Sequence, residues 1–291
     1  MTKYLPVKIQ TPKKFLLDGL LLKQNDSNTF YILLHGLGGS LFSQIELLQK
    51  IAGIKNNILT FNNRGNGIIS KIKQVNTKDI RGYKSYVIGM AHEVFADCLD
   101  DIEGAVNYVG KLGAKNIILI GHSTGCQKSI YYLSKKLNPL IKGVVLLAPM
   151  SDFADTFAFT DKKIYQKAAT YAKKKISQGH PHDLLPTDIW TQIIDAQRFL
   201  SLYTADSQEE IFTYASGKNP TTLRRVKKPI LVVLAGNDEY RDRPMSEIAK
   251  WFEQALFNHD IKIDIINNAP HNFNGYTADA AKKIINWSRR Y

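Results

Sequence analysis

Residues 117–133 read IILIGHSTGCQKSIYYL, and this stretch decides the fold. Four aliphatic residues form the pattern of a buried strand, and a helical pattern begins directly after Gly125. Between the two lies G-x-S-x-G, in which glycine on either side of Ser123 permits a sharp strand-to-helix turn. We therefore expect the Ser123 hydroxyl to stand exposed at a helix N-terminus, where it can act as a nucleophile.

Short apolar runs alternate with longer helical patterns on both sides of this turn. The strand patterns fall at residues 30–34, 58–61, 117–120, 144–147, 230–234 and 263–266, and the helical patterns fall at about 42–53, 87–112, 125–136, 244–257 and 277–290. This alternation predicts an α/β fold with a mostly parallel central sheet and helices on both of its faces. Residues 4–10 and 15–23 add a predicted opening hairpin.

Residues 152–226 break the alternation. They contain no buried-strand pattern, but helical patterns occur around 156–177 and 188–203. A structureless loop of that length inside a domain is improbable. We therefore predict a core formed by residues 1–151 and 227–291, with residues 152–226 inserted as a helical cap.

A serine nucleophile needs a general base and an acid that orients the base. In this kind of sheet they follow the serine in the order Asp, then His, on loops after later strands. Asp238 follows the strand pattern ending near residue 234, and His271 follows the last strand pattern. We predict the triad Ser123, His271 and Asp238, with Glu239 and Asp242 as alternative acids.

The other histidines are weaker candidates for the base, because none follows the last strand. We expect His35 and His122 to hydrogen-bond the framework beside the nucleophile. We expect His92 to lie mid-helix and His259 to follow a helix. His180 and His182 should lie in the predicted cap, where they could contact substrate.

A glycine-rich turn follows the early strand, within residues 33–40, LLHGLGGS. This position supplies one amide of an oxyanion hole in such folds, and the residue after the nucleophile supplies the other. The candidate donors are therefore the backbone amides of Leu37 and Thr124. A phosphate-binding loop is not indicated, since neither G-x-G-x-x-G nor a Walker lysine is present.

Composition narrows the function classes further. The formal charge is +13, but most lysines and arginines are scattered, so we expect no nucleic-acid partner. Two cysteines and the lack of metal-type Cys/His spacing predict neither a disulfide framework nor a metal site. No signal-like or membrane-length apolar stretch occurs, which predicts a soluble cytoplasmic protein. A Ser-His-Asp mechanism requires no metal or organic cofactor, so we expect none.

The chain resembles the α/β-hydrolase superfamily of serine esterases. The string Gly121–Gln127, GHSTGCQ, is narrower than the general motif and is similar to the branch with fungal fusarinine-type siderophore esterases and uncharacterised relatives. APMSD at residues 148–152 and RFLSL at residues 198–202 are similar to that branch too. The resemblance implies ester hydrolysis, with Ser123, Asp238 and His271 at the triad positions.

The predicted function is hydrolysis of a small carboxylic ester through an acyl-enzyme intermediate. The alternatives are amide, peptide or thioester hydrolysis, acyl transfer, or a ligand-binding receptor with little turnover, because fold and triad do not fix the leaving group. Cap aromatics could shape the pocket or form only the core of the cap. They are Phe153, Phe157, Phe159, Tyr165 and Trp190.

Overall fold

The computed structural model describes residues 4–24, 27–53 and 55–291. Within them, ten strands run in chain order as β1 (Leu5–Gln10), β2 (Leu16–Leu22), β3 (Thr29–Leu34), β4 (Asn57–Phe61), β5 (Ser70–Val75), β6 (Tyr83–Ile88), β7 (Asn116–His122), β8 (Ile141–Leu147), β9 (Ile230–Ala235) and β10 (Ile261–Ile266).

The helices that the structure describes connect or cover these strands. They are α1 (Ile45–Ala52), α2 (Cys98–Lys111), α3 (Thr124–Lys135), α4 (Asp152–Phe159), α5 (Lys162–Ser177), α6 (Ala196–Tyr203), α7 (Thr221–Arg224), α8 (Met245–Ala255) and α9 (Thr277–Ser288), with a short 3-10 helix at Phe95–Asp97 before α2. Among the described helices, none combines the length and the apolar character that crossing a membrane requires.

The central sheet has eight strands in the order β1-β2-β4-β3-β7-β8-β9-β10. The opening hairpin β1–β2 and the β2–β4 pair are antiparallel, whereas every pair from β4 to β10 in that order is parallel. The predicted fold class, a mostly parallel sheet with helices on both faces, is confirmed.

Alternate residues of the central strands pack on opposite faces of this sheet. In β7, Ile117 and Leu119 belong to the apolar cluster that includes α2, α3 and α8. Ile118 and Ile120 belong to the cluster with α1 and α9. Because helices cover both faces, residues 117–120 of the strand are apolar at every position, which explains the continuous hydrophobic run.

The β5–β6 hairpin corrects the helix predicted from residue 87. Tyr83–Ile88 pairs antiparallel with Ser70–Val75, and α2 begins only at Cys98. Gly89 has φ +112°, and a Cβ there would lie 2.5 Å from the Ile68 carbonyl oxygen. A helix cannot pass through that backbone conformation, so the chain turns before α2 starts.

Between β8 and β9 lie α4, α5, α6 and α7. Part of this segment has its own apolar cluster, in which Ala168 and Ala172 of α5 pack against Phe199 and Leu202 of α6. The helical character predicted for residues 152–226 is therefore present. The division of the chain into a core and a cap stays a prediction.

Candidate active site

Ser123 lies at the turn between β7 and α3 in a conformation that non-glycine residues rarely adopt, with φ 54° and ψ −127°. Strain of this kind persists only where surrounding packing imposes it, and it clusters at functional sites. The packing is tight here: a Cβ at Gly121 would lie 2.4 Å from the Gly125 carbonyl oxygen, and a Cβ at Gly125 would lie 2.3 Å from that of Leu34. Only glycine fits at these two positions, so the motif fixes the turn that presents the hydroxyl.

His271 and Asp238 meet at the carboxyl ends of β10 and β9. Nδ1 of His271 lies 2.7 Å from Oδ2 of Asp238, and both residues are buried. The other carboxylate oxygen of Asp238 accepts a hydrogen bond of 3.0 Å from the Tyr240 amide. With its proton on Nδ1, the ring keeps a lone pair on Nε2, which is the form a general base requires.

The two alternative acids have other partners. Glu239 accepts a hydrogen bond of 2.7 Å from the His271 backbone amide rather than from the ring. Asp242 forms an ion pair of 2.7 Å with Arg243. Of the three candidates, Asp238 is thus the one that contacts the imidazole.

Ser123 and His271 line the same cavity, whose volume is about 720 Å³. Among the hydrogen bonds of the described residues, none joins the Ser123 hydroxyl to His271. Such contacts are commonly long in the absence of a ligand and tighten when substrate is bound. The structure therefore brings the two residues to one cavity without forming their hydrogen bond.

Two backbone amides beside Ser123 have no acceptor. Across residues 4–24, 27–53 and 55–291, neither the Leu37 nor the Thr124 amide donates a hydrogen bond to the protein. Thr124 opens α3, where backbone amides can bind an anion, and Leu37 lines the cavity. A Cβ at Gly36 would lie 2.7 Å from the Ser123 Cβ, so the turn carrying Leu37 is close to Ser123.

His35 and His122 both hydrogen-bond the framework. His35 contacts the Gly36 carbonyl through Nδ1 at 2.9 Å and accepts from the Asn63 amide through Nε2 at 3.2 Å. His122 Nε2 lies 3.1 Å from the His271 carbonyl oxygen. Burial lowers the pKa of each ring to about 4, with Lys128 contributing at His35 and His271 contributing at His122. Both rings are therefore neutral at physiological pH.

The cavity wall contributed by α4 is acidic. Asp152 and Asp155 line the cavity together with Glu46. Burial raises the pKa of Asp155 to about 6, and the Asp238 and Asp242 carboxylates add to this effect. Burial also raises the pKa of Asp152 well above its ordinary value. At neutral pH Asp155 is therefore a charged group, whereas Asp152 holds its proton more tightly.

The segment between β8 and β9 contributes different side chains to the cavity from those that the sequence suggested. Gln192 and Tyr203 line the cavity, and none of the aromatics considered in the sequence analysis is among its lining residues. Tyr165 and Trp190 pack against Phe199 instead. These two rings pack against the apolar cluster that includes α5 and α6.

Sequence reasoning missed two contributors to the site. The Tyr240 ring packs edge-on against His271, with 4.8 Å between centroids. The Gln44 side chain donates 3.1 Å to the Asn272 carbonyl and lies 3.3 Å from His122 Nε2. The position of Tyr240, two residues after Asp238, could have suggested its role, but no local signal marks Gln44.

Comparisons with known proteins place this geometry in context. Residues 82–288 match the model of a family described as a protein of unknown function, DUF1749. UPF0613 protein PB24D3.06c of Schizosaccharomyces pombe is 33% identical over 95 residues, and this match spans 30% of the chain and 30% of that protein. The chain therefore covers less than a third of this curated relative.

Several solved structures share the fold. Siderophore hydrolase EstB from Aspergillus fumigatus superposes with a TM-score of 0.69 at 18% identity, covering 99% of this chain and 97% of that one. The esterase Pf2001 of Pyrococcus furiosus gives 0.61 at 18%, covering 100% and 92%. Est1E from Butyrivibrio proteoclasticus, bound to ferulic acid, gives 0.63 at 15%, covering 97% of each. These similarities show the α/β-hydrolase fold, as the sequence resemblance implied.

Proposed function

The chain belongs to the DUF1749 family, and from that premise we propose that it is a serine hydrolase that cleaves carboxylic esters. One observation carries the proposal: a buried Asp238–His271 hydrogen bond of 2.7 Å borders the same cavity as a serine held at positive φ. The names of the structural neighbours, a siderophore hydrolase and esterases, are in keeping with ester chemistry.

In the proposed first step, His271 Nε2 takes the Ser123 proton while Oγ attacks the ester carbonyl carbon. The Leu37 and Thr124 amides receive the developing oxyanion; removing one such donor typically lowers the rate by about 10²- to 10³-fold. The imidazolium then returns its proton to the leaving alcohol. Asp238 holds the ring in the required tautomer and stabilises its positive charge.

In the second step, water attacks the acyl-enzyme with His271 again accepting the proton, and the acid is released as Ser123 is restored. The loops that carry the base and the acid are each held by a hydrogen bond, from the His271 amide to Glu239 and from the Tyr240 amide to Asp238. The acid and the base are therefore held in place before substrate enters.

The charge of the cavity favours neutral or cationic esters. Asp155 and Glu46 line it, and Asp238 lies close enough to raise the Asp155 pKa. An anionic acyl or alcohol group would meet like charge at Asp155, which is unfavourable. We therefore propose substrates without a negative charge near the scissile bond.

Hydrolysis of p-nitrophenyl acetate, butyrate and octanoate tests the proposal. We expect turnover by the parent protein and its loss in Ser123→Ala with unchanged circular dichroism. Ser134→Ala is the matched control, because Ser134 lies at the far end of the same helix and its hydroxyl donates to the Tyr131 carbonyl. Equal activity in Ser123→Ala and Ser134→Ala would refute the nucleophile assignment.

A further inference from the structure

Three side chains with metal-binding atoms meet outside the catalytic cavity. They are His92 in the turn after β6, His182 in the loop after α5, and Asp195 at the N-terminus of α6. Nδ1 of His92 lies 3.0 Å from Oδ2 of Asp195, and Nδ1 of His182 lies 2.9 Å from the same oxygen. We propose that this cluster is a Zn²⁺ site that joins the inserted helices to the sheet domain.

The charge of Asp195 supports a bound cation. Its side chain is fully buried, and a buried carboxylate needs a compensating positive charge. Among the described residues, no lysine or arginine forms an ion pair with Asp195, and its ionisable partners are His92 and His182. The nearby Arg198 guanidinium is bound instead to Glu93 and Glu209.

The donor set suits zinc. Two imidazole nitrogens and one carboxylate oxygen are a known zinc ligand combination that leaves a fourth position for water. Tetrahedral ligands about 2.0–2.1 Å from zinc lie about 3.3 Å apart. The three donor atoms all lie within 4.8 Å of one another, so small side-chain rotations suffice to admit the ion.

A backbone amide also holds the Asp195 carboxylate in position. Its second oxygen, Oδ1, accepts a hydrogen bond of 2.7 Å from the Arg198 backbone amide, which leaves Oδ2 directed at the two rings. Partners of this kind orient metal ligands and strengthen binding. The same bond caps α6, so the start of this helix and the proposed ligand are one unit.

The proposed ion takes no part in the ester reaction. None of the three residues is among those that line the catalytic cavity, but Met90 and Gln192 of the same two segments do line it. The Asp195 amide already donates 2.8 Å to the Ala91 carbonyl, tying these segments together. A bound Zn²⁺ would reinforce the junction that forms this part of the cavity wall.

The test measures metal in the whole protein, purified without nickel affinity. We expect about one zinc per chain by inductively coupled plasma mass spectrometry, and one Zn²⁺ site by calorimetry after chelation and dialysis. His182→Ala removes a ligand whose side chain is 59% exposed, so the fold should survive. It should weaken Zn²⁺ binding by at least about 100-fold, more than loss of an orienting partner usually does.

The matched control is His180→Ala, since His180 is exposed in the same loop but lies outside the cluster. This variant should bind Zn²⁺ like the parent, and Zn²⁺ at 100 times the parent's Kd should raise the Tm of both by about 5 °C but that of His182→Ala by about 1 °C or less. Absence of Zn²⁺ binding by the parent, or equal affinity in His182→Ala and His180→Ala, would overturn the site.

Discussion

Oδ2 of Asp238 lies 2.7 Å from Nδ1 of His271, although the two residues are 33 positions apart in the chain. The contact forms because β9 and β10 are parallel neighbours whose carboxyl ends meet at one edge of the sheet. Both residues are buried, and hydrogen bonds are electrostatically stronger in such surroundings than in water. The geometry therefore fixes both the tautomer and the orientation of the imidazole.

Asp238→Asn should lower kcat for p-nitrophenyl butyrate by roughly 10⁴-fold, because an amide NH₂ facing Nδ1 stabilises the wrong tautomer. Glu239→Gln is the matched control, since Glu239 accepts from the His271 backbone amide rather than from the ring, and glutamine keeps a carbonyl acceptor. We expect less than about a tenfold loss in that variant. The measurement is steady-state kinetics on both variants, with near-ultraviolet circular dichroism to confirm that each is folded. A larger loss in Glu239→Gln than in Asp238→Asn would assign the acid to Glu239.

Gly125→Ala should damage the nucleophile turn. The added Cβ would lie 2.3 Å from the Leu34 carbonyl oxygen, and backbone must move to relieve that contact. We expect a free-energy loss of about 1–3 kcal/mol and at least a tenfold fall in kcat/KM as Ser123 shifts.

The matched control for that change is Gly110→Ala, in the last turn of α2. A Cβ there would meet Leu140 Cδ1 at 3.5 Å, which is ordinary contact. The alanine should raise the free energy of unfolding by about 0.5–1 kcal/mol, because it favours the helix. Urea unfolding and ester hydrolysis measure both effects, and a neutral Gly125→Ala would contradict the packing described for the turn.

Asp155 should make the preference for cationic esters depend on pH. Its pKa of about 6 means that its negative charge develops as the pH rises from 5 to 8. The ratio of kcat/KM for butyrylcholine to that for the isosteric neutral 3,3-dimethylbutyl butyrate should therefore rise by about 3- to 10-fold over this range. The titration of His271 affects both esters equally and cancels in the ratio. Asp155→Asn should give a flat ratio; an unchanged profile in that variant would show that Asp155 does not face the alcohol group.

Glu210 should make stability fall as pH rises. Burial raises the pKa of this carboxyl to about 7, although a hydrogen bond of 2.7 Å from Ser151 opposes the effect. A folded-state pKa above the unfolded value gives stability that is full below about pH 4.5 and is lost as pH rises through 7. Glu210→Gln mimics the protonated acid and should stabilise the protein by about 2–3 kcal/mol at pH 8.5, with little change at pH 4.5. Thermal unfolding at both pH values measures this, and equal effects at the two would contradict it.

Local sequence was sufficient where one short segment determines the structure. In residues 117–133, the apolar run, the glycines and the helical pattern are all adjacent, and β7, the turn and α3 formed where they were predicted. The order Ser, Asp, His also carried information, because parallel strands bring their carboxyl ends together wherever they lie in the chain.

Features that depend on distant partners were not visible in the sequence. Tyr83–Ile88 forms a hairpin strand because it pairs with Ser70–Val75, not because of its own pattern. Met90 and Gln192 line the cavity through the way two segments meet. In the His92–His182–Asp195 cluster, the second and third residues follow His92 by 90 and 103 positions. No local metal-binding motif could therefore have revealed the cluster.

Labelling with a fluorophosphonate probe tests the central claim most directly, because the probe reacts with a serine only when a neighbouring base activates it. The parent protein and Ser123→Ala are incubated with the probe, and the modified peptide is located by mass spectrometry. We predict labelling of Ser123 in the parent and in the Ser134→Ala variant, and no labelling in Ser123→Ala. Unlabelled parent protein that is fully folded, or labelling that persists in Ser123→Ala, would contradict the assignment of Ser123 as an activated nucleophile.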